Sequence, residues 1–138
     1  MNAAPLESSS TGLPEGTGVI LVDHGSKREA ANAMLLDVAR MYREASGAAI
    51  VEPAHMELAE PTIAEAFARC VEQGARRVVI HPYFLSPGRH STSDIPQLAA
   101  EAAAAHPGIE YRVTEPLGLD ERMMAVVQRR ILEALGET

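Results

Sequence analysis

Cysteine is almost missing from this sequence: Cys70 is the single thiol among 138 residues. One cysteine can close no internal disulfide and build no CxxC metal site, so the chain is not a small disulfide-stapled domain. A reducing, cytoplasmic setting is the default expectation. Long apolar runs are also lacking. None approaches the roughly 20 residues that cross a bilayer, which predicts a soluble protein with no membrane span. Positive charge is scarce, because 12 Lys and Arg stand against 19 Asp and Glu for a formal charge of -7. That balance argues against a nucleic-acid partner, whose backbone is met by Lys and Arg gathered on one face.

The first 16 residues, "MNAAPLESSSTGLPEG", have no hydrophobic periodicity and are rich in Ser, Pro and Gly, which predicts a flexible tail over residues 1–16. They carry neither the apolar core of a secretory signal nor the Arg-rich, acid-poor character of a transit peptide. A plastid leader already removed would leave the same beginning. Residues 17–138, in a chain that is 46% hydrophobic, suit one domain with one core.

What is present is an alternation. "GVILVDHG" (18–25) reads as a buried strand ending at glycine, and "SKRE" then reads as a capping box with Ser26 as N-cap and Glu29 reaching back. Ala31, Met34, Leu35, Val38, Met41 and Tyr42 recur at helical spacing as far as Ser46. "AIVEPAHME" (49–57) is a second strand, and Pro53, which cannot donate to a ladder, puts it at a sheet edge. Pro61 opens a second helix with Ile63, Phe67, Cys70 and Val71 inward and Gly74 as its stop. "RRVVIHPYFL" (76–85) is a central third strand. Thr92, Ser93 and Asp94 offer caps for a third helix, "IEYRVTEP" is a fourth strand, and Asp120 caps a last helix with Met123, Met124, Val127 and Ile131 inward. The pattern predicts an α/β domain: a doubly wound, four-stranded parallel sheet of order 2-1-3-4 with helices on both faces.

In such sheets ligands bind beyond the carboxyl ends of the strands, where the winding reverses. His24 closes the first strand there and His90 follows the third, so two imidazoles distant in sequence converge on one crevice. Glu57, at the end of the second strand, adds a carboxylate. Two imidazoles and a carboxylate make a donor set for a first-row divalent cation. Gly25 and Gly88 let backbone approach a ligand closely. Ser26, Lys27 and the start of the first helix form an anion-friendly corner, and Lys27, Arg28 and Arg89 flank the crevice with charges suited to ligand carboxylates. The other histidines read as structural: His81 as hydrogen-bonded against a covering helix, His55 as edge packing or a partner to the site, His106 as a cation at a helix end. Cys70 reads as core.

Taken in order, "GVILVDHGSK", "VEPAHMELAEPTI" and "PYFLSPGRHSTSDIP" resemble the small sirohydrochlorin and cobalt chelatases, the class II chelatases built on a ferrochelatase-like half-domain. The resemblance covers nearly everything after the tail, and the third motif is the most specific. It implies a lyase that inserts a divalent metal, Co2+, Fe2+ or Ni2+, into sirohydrochlorin on the way to cobalamin or sirohaem. The metal is then substrate, with no organic cofactor. The family's metal-binding and catalytic histidines fall on His24 and His90, and its acidic residue on Glu57. Many relatives carry a bulky residue, often Trp, after the second histidine, where this chain has Ser91. The cysteine-rich iron–sulfur extension of some plant relatives is not in this sequence, so no cluster is expected. One half-domain implies a homodimer enclosing the tetrapyrrole. Two other readings remain: a non-catalytic carrier of metal or tetrapyrrole, and a histidine phosphatase. The phosphatase is the weaker, because such enzymes place Arg before the reactive histidine and this chain has Asp23.

Overall fold

A computed structural model describes residues 12–86 and 91–137 of the chain. Four strands and four helices alternate: β1 (Thr17–Asp23), α1 (Glu29–Ser46), β2 (Ile50–His55), α2 (Ile63–Glu72), β3 (Arg77–Pro82), α3 (Ser91–Ala104), β4 (Glu110–Val113) and α4 (Arg122–Ala134). The strands pair in parallel in the order β2-β1-β3-β4. Right-handed crossovers impose the layers, since moving outward from β1 to β2 and back across to β3 sends α1 and α2 to opposite faces. Pro53 lies on β2, an edge strand, where its missing N–H costs least.

Each strand alternates between the two faces. Ile20 and Val22 of β1 join Val78 and Ile80 of β3 under α2 and α3, with Phe67, Cys70 and Ile95 completely enclosed. Val19 and Leu21 face the other way, against Leu35 and Ala39 of α1. Leu13, just before β1, packs on this second cluster, and the Gly16 carbonyl accepts from the Arg76 N–H at 2.7 Å.

Helix boundaries differ from the sequence expectation at several points. Ser26 is not the N-cap of α1. The Asn32 side chain accepts from the Ser26 N–H (3.0 Å) and donates to the Ser26 carbonyl (2.8 Å), which holds those residues in a loop and delays the helix to Glu29, with Arg28 at the cap. The capping box occurs instead on α2, where Thr62 and Glu65 bond reciprocally and Pro61 lies before the cap. α3 begins at Ser91, so Asp94 sits inside its first turn and not before it.

The largest correction concerns α4. Met123, Met124, Val127 and Ile131 were expected inward, yet no residue of α4 is buried. The β4–α4 connection explains this: Leu117 and Gly118 donate to the Phe84 and Leu85 carbonyls at 3.0 and 2.8 Å, prolonging the ladder past the sheet. α4 therefore leaves the domain, with Leu119 fully exposed at its root. Met34 and Met41 of α1, also expected inward, are exposed as well. No helix among the described residues is long and apolar enough to cross a membrane.

Candidate functional site

The β1–β2 ladder runs one step beyond both strands. Met56 N–H donates to the Asp23 carbonyl (2.8 Å) and Glu57 N–H to the His24 carbonyl (3.2 Å), so backbone pairing carries the chain at both His24 and Glu57 to the same C-terminal rim. The chain then turns sharply at Gly25, whose φ is +90°. A Cβ there would lie 1.8 Å from the Glu57 carbonyl oxygen, so only glycine fits.

Asp23 fixes the same turn from its side chain. One carboxylate oxygen, Oδ1, accepts from the Gly25 N–H at 3.0 Å and meets His55 Nδ1 at 2.6 Å. His55 is buried with that pairing satisfied, so it supports the site from beneath, as one of its two sequence readings allowed.

His24 is exposed. Its ring stacks on Phe84, with centroids 4.3 Å apart and planes 19° apart. Phe84 follows β3 and packs against the α2–α3 core, and the neighbouring Tyr83 N–H is tied to the Val22 carbonyl at 2.6 Å. The imidazole thus rests on a fixed platform between the ends of β1 and β3 with its edge open to solvent. Phe84 was not singled out in the sequence. Its position three residues after His81 in an apolar strand gave no sign that it would lie beyond the strand.

Glu57 is exposed and lines a cleft of about 300 Å³ together with Met56, Asp94, Gln97 and Leu98. Asp94, read from sequence only as a cap, is thus a second carboxylate facing the cleft. The signal was its place on the first turn of the helix that follows "GRH". His90, Gly88 and Arg89 lie outside the described residues, and Ser91 enters only as the first residue of α3. Of the expected triad, the described residues include His24 and Glu57, whose backbones bond at this rim while their side chains meet different neighbours, Phe84 and the Asp94 cleft. Among the described residues no group of three or more His, Cys, Asp or Glu side chains is arranged to hold a metal.

Of the anion-binding corner, Ser26 is engaged internally: its hydroxyl accepts from the Arg28 N–H at 3.0 Å. Lys27 and Arg28 are exposed and make no ion pair among the described residues, which leaves both charges free for a ligand. The remaining histidines are structural. His81 Nδ1 meets Thr114 Oγ1 at 2.7 Å, a partner from the end of β4 and not from a covering helix. Burial holds its pKa below the usual histidine value, partly offset by the Glu115 carbonyl. His106 lies past the end of α3 and stacks on Phe67 at 5.5 Å. Cys70 is enclosed in the core, where desolvation first, and the Glu52 carboxylate second, push its thiol up to about 12.

The CbiX family profile matches residues 18–134, the span from β1 to the end of α4 that carries all of this geometry. The chain belongs to the CbiX family. It is 52% identical over 125 residues to the chloroplastic sirohydrochlorin ferrochelatase of Arabidopsis thaliana, covering 91% of this chain and 56% of that protein. It is 30% identical over 133 residues to the sirohydrochlorin cobaltochelatase of Methanocaldococcus jannaschii, covering 79% of this chain and 93% of the relative. The sirohydrochlorin ferrochelatase of Priestia megaterium matches at 35% identity over 43% of its own length. This CbiX chain thus spans about half the length of some of the curated relatives it matches. Among solved structures, the sirohydrochlorin chelatase SirB of Bacillus subtilis subspecies spizizenii in complex with cobalt superposes with a TM-score of 0.78 at 31% identity, covering 85% of this chain and 50% of that one. A CbiX protein from Marinobacter aquaeolei VT8 gives 0.74 at 29% identity, over 87% and 98% of the two chains. The expected sheet order and the expected family therefore both hold.

Proposed function

We propose that this chain is a lyase that inserts a divalent metal into sirohydrochlorin, with cobalt, iron or nickel as the metal substrate and cobalamin or sirohaem as the destination. The observation that carries the reading is the exposed His24 ring, fixed on Phe84 at the C-terminal rim beside Glu57, in a CbiX chain whose relatives are named for chelating sirohydrochlorin.

The chemistry asks for little more than such a rim supplies. Insertion replaces two inner N–H protons of the macrocycle by one dication, so the metal must shed water and the protons must find acceptors. An imidazole at ordinary pH is largely neutral and does either task, ligating through nitrogen or accepting a proton. Histidine and carboxylate hold cobalt, iron or nickel without the grip of several thiolates, which suits a metal that must be passed on. In this reading His24 and His90 share metal delivery and proton removal with Glu57 assisting. Asp94, on the same cleft as Glu57, adds negative charge that draws the cation in. Lys27, Arg28 and Arg89, with Ser26, Gly88 and Ser91, meet the carboxylates of the tetrapyrrole.

One half-domain offers one rim, so two copies enclosing the macrocycle complete the site. The cytoplasm is the setting first expected from the lone cysteine, and the chloroplastic relative supports a plastid one equally. The phosphatase reading loses further ground, since the residue before His24 is a carboxylate already committed to Gly25 and His55. A carrier and an enzyme differ in turnover. The test is an anaerobic absorbance assay of sirohydrochlorin with Co2+, Fe2+ and Ni2+, on wild type and on His24→Ala, His90→Ala and Glu57→Gln. Both histidine variants are expected to lose most of the acceleration while keeping their far-UV dichroism. Binding without acceleration in the wild type would establish the carrier instead.

A further inference from the structure

The loop that joins β2 to α2 is closed at its base. His55 N–H donates to the Pro61 carbonyl at 2.8 Å, so residues 56–61 leave the sheet and return to the same point on the rim. Leu58 stands in that loop with φ +71°, and it is the one residue other than glycine with a positive φ among the described residues. A side chain in this left-handed region crowds its own backbone, and one as bulky as leucine is held there only where another contact compensates. Packing within the chain does not compensate: Leu58 is 60% exposed, whereas Met56, two residues earlier, packs on the core. Glycine or asparagine would make the same turn at ease.

A second apolar side chain is left out in the same way. Leu85 is also 60% exposed, although its carbonyl is held by the Gly118 N–H at 2.8 Å. Each leucine comes directly after a residue that touches His24. Leu58 follows Glu57, whose N–H bonds the His24 carbonyl, and Leu85 follows Phe84, on which the imidazole lies. Because β1 runs between β2 and β3, the two leucines stand on opposite sides of His24, two strand spacings or about 10 Å apart.

A flat macrocycle suits this pair. A metal enters a tetrapyrrole at its centre and through one face, so the group that delivers it has that face spread over its neighbours on either side. The face is apolar, and the carboxylates lie at the edge of the ring. We infer that Leu58 and Leu85 are the seat of the tetrapyrrole: one face of the ring rests on both side chains, with its centre over His24 and its carboxylates left free for Lys27 and Arg28. A second copy pressed onto both leucines would close over His24, which the ring has to reach, so the ligand is the macrocycle and not a partner chain. The inference rests on the reading that His24 hands a metal to sirohydrochlorin, and it adds the residues that hold the plane of the ring.

The test is binding of metal-free sirohydrochlorin, followed anaerobically by absorbance, on wild type, Leu58→Asn, Leu58→Met and Leu85→Asn. Asparagine has nearly the shape of leucine and tolerates a positive φ, so it removes the apolar contact and keeps the turn. Loss of one half-covered leucine is expected to weaken binding about tenfold, and loss of both about a hundredfold, with Leu58→Met close to wild type. The urea midpoint of Leu58→Asn is expected to equal or exceed that of wild type, because backbone strain is relieved. Wild-type affinity in both asparagine variants overturns the seat, as does a wild type that does not bind the macrocycle. A lowered midpoint in Leu58→Asn would mean that Leu58 serves packing in its own chain, and overturns it as well. Weakened binding accompanied by a fall in mass in light scattering assigns the leucines to pairing and overturns it too. Cobalt insertion is followed separately on the same samples. A wild type that binds the ring through these leucines without accelerating insertion ends the chelatase reading and leaves the seat standing.

Discussion

The imidazole of His24 lies flat on the ring of Phe84, 4.3 Å away. Stacking on a ring anchored in the core restrains the imidazole without consuming either nitrogen, which is the requirement for a group that must ligate or accept a proton. Such a contact contributes about 0.5–1.5 kcal/mol. Phe84→Ala is therefore expected to lower the insertion rate about tenfold, less than the loss in His24→Ala, with Phe84→Tyr restoring it. Rates are compared at matched folded fraction, because Phe84 also packs on the core. Equal rates in wild type and Phe84→Ala would show that the platform plays no part.

Gly25 is the tightest point of the rim. Alanine there would place its Cβ against the Glu57 carbonyl in a backbone conformation that side chains rarely adopt. Relief requires the His24–Glu57 pairing to open. Gly25→Ala is expected to cost on the order of 2–4 kcal/mol, read as a lower urea midpoint at unchanged m-value, and to lose insertion activity even where the chain remains folded. A variant of wild-type stability would mean that the turn is free to move.

The Asp23–His55 contact, 2.6 Å long with His55 only 3% exposed, ties β1 to the edge strand directly beneath the site. Removing the Asp23 carboxylate leaves the His55 ring buried without it, whereas Asp23, a quarter exposed, keeps the Gly25 N–H when His55 is removed. Asp23→Asn and His55→Gln are each expected to destabilise by about 1–3 kcal/mol. Their double variant is expected to cost clearly less than the sum, with a coupling of about 1 kcal/mol or more. Strict additivity in denaturant unfolding would show that the two side chains act independently.

These residues also mark what a sequence can reveal. The strand order was legible because it rests on local signals, a proline that weakens one strand's ladder and a βα alternation whose crossovers have one hand. The placing of His24 and Glu57 on one rim follows from that order alone. The start of α1 was not legible, because Ser26 is claimed by Asn32, a partner six residues on that no capping rule anticipates. Phe84 and Asp94 were missed for a related reason: an aromatic in an apolar run and an acid in a first turn have ordinary explanations, and only the fold turns them toward the crevice. The stripe on α4 was read as an inward face, and the structure leaves it unburied. Periodicity says that such a face exists and is silent about what covers it.

Cys70 offers a probe of opening. With its thiol enclosed and pushed up to about 12, the folded protein presents essentially no thiolate at pH 8. Reaction with a disulfide reagent is expected to follow unfolding, accelerating in proportion to the unfolded fraction as urea is added. Above pH 9 the unfolded chain loses this proton while the folded one keeps it, so this group's contribution to stability falls as pH rises. Rapid labelling in buffer alone would contradict the enclosed position.

His81 acts in the acid range and in the opposite sense. Burial lowers its folded pKa below that of the unfolded chain, with the Glu115 carbonyl opposing the shift only in part. Between the two values the unfolded state binds more protons, so stability rises with pH through that window and is lost as pH falls below about 6.5. Protonation leaves the bond to Thr114 Oγ1 in place, because that hydroxyl's own hydrogen is donated to the Glu115 carbonyl at 2.8 Å. That hydroxyl therefore accepts from Nδ1–H, and in the neutral ring Nε2 is left without a proton, so acid adds its charge at Nε2 in a half-buried site beside an apolar groove. Urea midpoints measured from pH 8 to pH 5 should fall for the wild type. The fall should be shallower in His81→Asn, which keeps polarity without titrating. Identical pH profiles for wild type and His81→Asn would remove His81 from the account.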